Sequence, residues 1–297
     1  MHAQKAKSDV EVSSLIFGTW RLCERGVSQS DLAALIDVCL EAGVSSFDLA
    51  DIYGNYQVEA FFGSALTPAL RERMQLITKC GICLPSEHRP HHRVKHYNTS
   101  AQHVRNSVEQ SLRNLRTDRL DVLLIHRPDP LLQFSELAQL FEALKAEGKV
   151  QAFGVSNFTA AQFQSFQSCL SLPLLTNQIE LSPLHPQALW DGTLDHAQAH
   201  GYRPMIWSPL AGGKVFHGTD TESLRLRKCL QEIAVRYECE LDQLLLAWLL
   251  YLPSRVIPVL GTTQMGRLQS QLKALSLNLE RQDWYQILEA GQGFAVP

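Results

Sequence analysis

The chain has 297 residues, 45% of them hydrophobic and 19% charged, a balance that fits a globular fold and excludes a disordered or fibrous one. The 27 Lys and Arg stand against 30 Asp and Glu, leaving a formal charge of −3 and no basic excess of the kind nucleic-acid binders use to meet phosphates. The longest apolar run, residues 244–252, is far short of the roughly 20 residues that span a bilayer.

In chain order, short apolar runs at residues 14–17, 45–47, 75–78, 122–125, 150–155, 174–179, 204–207 and 256–260 read as strands. Between them lie stretches of 3.6-residue periodicity, such as Leu32, Leu35, Ile36 and Leu40, and later Leu137, Leu140, Phe141 and Leu144. Ser30-Asp31, Thr99-Ser100 and Thr159 stand where helices begin and can cap free N–H groups. Strands that alternate with helices pair in parallel, because parallel neighbours need crossover connections. Eight such units in under 300 residues predict a single domain over residues 1–297, a closed (β/α)8 TIM barrel. Val10 and Val12, alternating with polar neighbours, suggest a short N-terminal β-hairpin at the barrel floor. The first 14 residues hold no apolar leader stretch, and seven cysteines scattered from Cys23 to Cys239 suggest no disulfide framework. The expectation is a cytoplasmic protein, monomeric or weakly homo-oligomeric, with no nucleic-acid or membrane partner.

In such a barrel the C-terminal strand ends surround the active-site mouth. The second run ends in Asp48 and leads through Leu49-Ala50-Asp51-Ile52 to Tyr53-Gly54; the third ends at Lys79, and the fourth at His126. Taken singly, each has an ordinary explanation: a helix cap, a surface charge, or a ring packed with its polar tip satisfied. Four at consecutive strand ends are specific. A Tyr hydroxyl near pKa 10 is a poor acid at neutral pH, and a nearby ammonium lowers that pKa while an Asp holds the ammonium in place. A His beside the phenol can polarise a carbonyl. The set suits protonating a carbonyl oxygen while another group delivers a nucleophile or hydride.

These residues resemble the aldo-keto reductases. The segment Phe47-Asp48-Leu49-Ala50-Asp51-Ile52-Tyr53-Gly54 is similar to that family's signature, and Lys79 and His126 fall where the family places the rest of its catalytic tetrad. Gly154-Val155-Ser156-Asn157-Phe158, Asn177-Gln178, Trp207-Ser208-Pro209-Leu210 and residues 256–271 follow its later strands, so the likeness runs along nearly the whole chain. It is nearest the bacterial monomeric branch. The resemblance implies an NADPH-dependent reductase of small-molecule aldehydes or ketones, with Asp48, Tyr53, Lys79 and His126 catalytic. It further implies that Ser156, Asn157 and Gln178 hold the nicotinamide carboxamide and that Trp207 stacks on the ring. The resemblance also places Thr19 and Trp20 among the cofactor-binding residues. Ser208, Pro209, Leu210, Gly212 and Lys214 would meet the pyrophosphate, and Gly261, Thr262, Arg267 and Gln271 the adenosine end. Many members carry Lys where this chain has Gly261, which leaves Arg267 as the main cation for a 2′-phosphate.

Two other readings compete with reduction. Lys79 could form a Schiff base in an aldolase-type lyase, or the chain could hold cofactor as a regulatory subunit with little turnover. Cys80-Gly81-Ile82-Cys83 precedes a loop bearing His88, His91, His92 and His96. Redox C-x-x-C pairs normally open a helix, and no second pair with zinc spacing follows, so no metal is expected and the thiols read as packing groups.

Overall fold

The computed structural model describes residues 10–296. Its barrel strands are β1 (Ile16–Gly18), β2 (Ser46–Asp48), β3 (Gln75–Cys80), β4 (Leu120–Ile125), β5 (Val150–Ser156), β6 (Leu174–Glu180), β7 (Met205–Trp207) and β8 (Ile257–Leu260). They close in the order β1-β8-β7-β6-β5-β4-β3-β2, the (β/α)8 barrel predicted from the alternating pattern. All eight runs are strands, with no end moved by more than two residues. Val10 and Val12 lie in irregular backbone instead of a hairpin, and the residues before Val10 fall outside the described ones. Ser13 and Ser46 exchange N–H to hydroxyl bonds at 3.0 and 3.1 Å, which ties this segment to the start of β2.

The chain forms two compact units, Met1–Gln178 and Ile179–Pro297. In the first, register aligns the reactive strand ends. Asp48 pairs with Ile77, and Lys79, two residues further along β3, points to the same face as Ile77 because strand side chains alternate. Val155 pairs with Asn177 and Ser156 with Gln178. The rings of Phe17, Phe47 and Phe62 follow one another at 5.9 and 5.4 Å, and Phe141 stacks on Phe153 at 4.1 Å. Helix Gln29–Glu41 starts earlier than Ser30-Asp31 suggests. Ser28 is its cap, and Asp31 supplies the returning arm of a capping box. Ser100 and Thr159 cap helices Ala101–Asn114 and Ala160–Ser168 as expected.

The second unit is built on helices Thr221–Tyr237, Leu241–Leu250 and Arg281–Gln292. The apolar segment at 244–252 falls mostly inside Leu241–Leu250, where residues 243–249 are all buried. Trp248 and Trp284 stack at 5.0 Å, 7° from parallel, and each indole N–H donates to the other's carbonyl at 3.0 and 2.9 Å. Two large rings are thereby buried with both polar tips satisfied. Among the described residues no helix is long and apolar enough to cross a membrane.

Candidate active site

The loop after β2 turns sharply. Gly54, Asn55 and Tyr56 all adopt positive φ (54°, 57° and 69°). Glycine is needed at 54 for space as well, since a Cβ there would lie 2.7 Å from Val58 Cγ2. Tyr53 stands immediately before this turn. Its hydroxyl lies 3.0 Å from Lys79 Nζ, which also donates to Asp48 Oδ2 at 2.7 Å and to the Leu49 carbonyl at 2.8 Å. Three donors therefore meet three acceptors, and the ammonium is saturated. Lys79 and Asp48 are 1% and 3% exposed, so this ion pair is buried and held by hydrogen bonds on both sides.

The other oxygen of Asp48 accepts from Gln178 Nε2 at 2.7 Å. Thr19 donates to the Asp48 carbonyl through its N–H at 3.0 Å and its hydroxyl at 2.9 Å. His126 stands edge-on to Tyr53 with ring centroids 5.9 Å apart, and Trp20, half exposed, lies 6.3 Å from the same phenol. The structure thus brings Asp48, Tyr53, Lys79 and His126 together, with Thr19, Trp20 and Gln178 around them.

Burial would lower the Lys79 ammonium, but Asp48 and Tyr53 outweigh it and raise it above the usual lysine value. Burial also dominates at Tyr53. It raises the phenol although Lys79 pulls it down, so the net direction is opposite to that expected from the Lys alone. The phenol stays protonated through neutral pH, and Lys79 reduces the cost of the phenolate once the proton leaves. Burial, with Lys79, Arg127 and Lys95 in support, holds His126 well below its usual pKa, and the ring is neutral. Its Nδ1 is buried with no hydrogen-bond partner among the described residues.

Beyond the tetrad, Asn157 has a left-handed backbone (φ 60°) and donates to Ser156 Oγ at 2.7 Å, while Ser156 Oγ donates to the Gln178 carbonyl at 2.9 Å. These three form a contiguous polar shelf at the ends of β5 and β6. In the second unit, Trp207 ends β7, and Ser208 (φ 51°), Pro209, Leu210 and Gly212 (φ 64°) make an irregular turn before Lys214. Lys214 is exposed, 3.6 Å from Asp220. Gly261 and Thr262 follow β8, and Arg267 is the third residue of helix Met265–Leu272. Arg267 is exposed and joins no ion pair among the described residues. Gln271 is buried; its Nε2 donates to Asp242 at 3.1 Å, and its Oε1 has no partner among the described residues. By their chemistry, the amide and hydroxyl groups of Ser156, Asn157 and Gln178 in the first unit suit a carboxamide; in the second, the left-handed turn after β7 allows close approach and the Arg267 guanidinium, without an ion pair among the described residues, suits a phosphate.

Two acids beside this site, Glu59 buried and Asp51 half-buried, were missed in the sequence. Glu59, 1% exposed, accepts from Thr78 Oγ1 at 2.7 Å and Asn114 Nδ2 at 3.1 Å. Asp51 has an Oδ1 buried without a partner among the described residues, and its N–H donates to the Lys79 carbonyl at 3.0 Å. The one sequence signal was their place in the segment after β2. Cys80 and Cys83 are free buried thiols raised by burial, Cys83 to about 11, which makes them unreactive. The Gly291-Gln292-Gly293 run ends a helix, with Gly293 as its left-handed cap.

A parallel barrel with a buried Asp–Lys–Tyr cluster and a neutral His at its strand ends defines the class of barrel oxidoreductases that act on carbonyl groups. The sequence profile of the Aldo/keto reductase family matches residues 14–292, and the chain belongs to that family. It is 45% identical over 293 residues to the oxidoreductase YdhF of Escherichia coli K12, covering 97% of this chain and 96% of the relative. It is 41% identical over 290 residues to a 6-dehydroglucose reductase of Agrobacterium fabrum C58, covering 97% of both. The solved structure of the thermostable aldo-keto reductase Tm1743 superposes with a TM-score of 0.79 at 23% identity, covering 95% of this chain and 97% of that one, which supports the fold. The protein is an enzyme, an oxidoreductase of carbonyl compounds.

Proposed function

We propose that the protein reduces aldehydes or ketones with NADPH and that Tyr53 gives the proton to the carbonyl oxygen. The observation that carries this reading is Lys79 Nζ bridging Asp48 at 2.7 Å and the Tyr53 hydroxyl at 3.0 Å. When bound, the reduced nicotinamide supplies hydride to the carbonyl carbon. As the C=O π electrons move to oxygen, the Tyr53 O–H bond breaks and its proton passes to that oxygen. The phenolate left behind is stabilised by the Lys79 ammonium, which Asp48 keeps charged and in place. His126, neutral, offers one ring N–H as a donor to orient the carbonyl. Ser156, Asn157 and Gln178 would hold the carboxamide, Trp207 would meet the nicotinamide ring, and the segments at 208–214 and 261–271 would hold the rest of the cofactor, with Arg267 for the 2′-phosphate.

The reading takes residues 1–297 as one catalytic domain of a cytoplasmic protein, monomeric or weakly homo-oligomeric, with a small-molecule carbonyl compound as its partner. The Schiff-base alternative fits less well, because an amine must lose its proton to attack a carbonyl and Lys79 is a saturated ammonium raised above its usual pKa. The name of the Agrobacterium relative makes an oxidised sugar the first substrate to test. The experiment is NADPH oxidation across 6-dehydroglucose, simple aldehydes, ketones and dicarbonyls. Saturable NADPH binding without turnover of any carbonyl would replace this reading with the regulatory one.

A further inference from the structure

A cavity of about 400 Å³ lies in the first unit between the loop that follows β3 and helix Ala101–Asn114. Its lining carries Arg89, Arg113 and four histidines, His103 among them, against one acid, Asp51. Two permanent positive charges thus face a single carboxyl. Neither guanidinium joins an ion pair among the described residues. Arg89 is fixed instead by Tyr56, whose ring lies 4.7 Å below it, and spends one N–H on the His88 carbonyl; Arg113 donates to Gln110. Most of their ten N–H donors therefore have no acceptor among the described residues. The volume falls at the lower end of small-ligand sites. A metal does not suit this wall, since among the described residues no three His, Cys, Asp or Glu side chains are placed to hold one.

We infer that this cavity binds a phosphate-type oxyanion, gripped by Arg89 and Arg113, with Asp51 at its edge. Guanidiniums match phosphate with paired hydrogen bonds, which is the chemistry offered by two arginines without ion pairs, one from the loop and one from the helix. Asp51 would repel an anion if ionised. Burial, with Glu59 adding, holds its carboxyl well above the usual range against the pull of Arg89 and the Ser107 and Ile52 hydrogen bonds. The neutral acid donates a hydrogen bond and does not repel. This inference is independent of the reductase reading.

The test titrates inorganic phosphate, and separately a hexose monophosphate, into the full chain by calorimetry at fixed ionic strength. One saturable site per chain is expected, weakened about tenfold or more in Arg89→Gln and in Arg113→Gln, the scale of a lost charged hydrogen bond. Tighter binding of the hexose monophosphate would identify a phosphorylated metabolite as the occupant; equal affinity would identify free phosphate. No saturable binding would overturn the site. Unchanged affinity in both variants would overturn it as well, because the phosphate would then sit elsewhere, as at Arg267. Should Arg89→Gln fail to fold, Arg113→Gln carries the test alone, since that side chain is exposed.

Discussion

The polar groups at the ends of β2, β3 and β4 contrast with those that follow β7 and β8. In the first region Asp48 and Lys79 are buried and each is held by several others: Asp48 by Lys79 and Gln178, and Lys79 by three acceptors. In the second, the charged groups are exposed, and Arg267 has no ion pair among the described residues. The contrast follows from the tasks proposed for them. A proton donor needs fixed geometry and a tuned electrostatic setting before substrate arrives, whereas a phosphate grip can be completed by its ligand. Damage in the first region should therefore reach stability as well as rate, and damage in the second should reach affinity alone.

Lys79→Met is the sharpest way to break that contrast. It removes the charge that stabilises the phenolate and leaves Asp48 buried beside Gln178 alone, so a stability loss of about 3–5 kcal/mol is expected in chemical denaturation. Single-turnover hydride transfer should fall at least as far as in Tyr53→Phe. A stable variant with near-normal transfer would show that the cluster is neither tightly held nor involved in chemistry.

Tyr53→Phe separates rate from stability. Reductive turnover should drop by about 10²–10⁴-fold, the worth of general acid catalysis, with NADPH affinity nearly unchanged. In the wild type the raised phenol keeps its proton through neutral pH, so reduction should hold there and decline only on the alkaline side of the ordinary tyrosine value of 10.0. A decline starting near neutrality would assign the proton to another group.

On the exposed side, Arg267→Ala should weaken NADPH by roughly 10- to 150-fold and change NADH little, read by quenching of tryptophan fluorescence. Equal losses for both cofactors would remove Arg267 from the 2′-phosphate. Gly261→Lys tests the same region by addition. A Cβ there meets nothing within 4 Å and the backbone is not left-handed, so the residue is tolerated. A gain for NADPH over NADH of about 2- to 5-fold is expected, as for an exposed ion pair.

The smallest effect concerns His126. Its pKa falls from 6.5 on folding, so below that value the unfolded chain binds a proton that the folded one refuses. Stability should then fall with decreasing pH from about 6.5 toward the folded-state pKa, by no more than about 1.4 kcal/mol per pH unit. His126→Gln should flatten that part of the curve. An identical slope in the variant would mean that other groups set it.

Much of this was legible in the chain itself. The eight apolar runs and the periodic stretches between them specify strands and helices locally, and alternation leaves parallel pairing as the way to connect them. Asp48, Tyr53, Lys79 and His126 could be found because strand-end positions are fixed by the same pattern. The N-cap at Ser28 was misplaced by two residues because Ser28, Ser30 and Asp31 are all good caps, and the choice rests on backbone angles. Other features were decided in three dimensions. Gln178 reaches Asp48 across 130 residues of chain, and Asp51 and Glu59 look in the sequence like ordinary surface acids. Sequence pattern fixes which element a residue joins and which way it faces, because those depend on neighbours a few positions away. Burial, and with it the direction of every pKa shift at the site, depends on the packing of distant segments, so the rise at Tyr53 followed from tertiary structure alone.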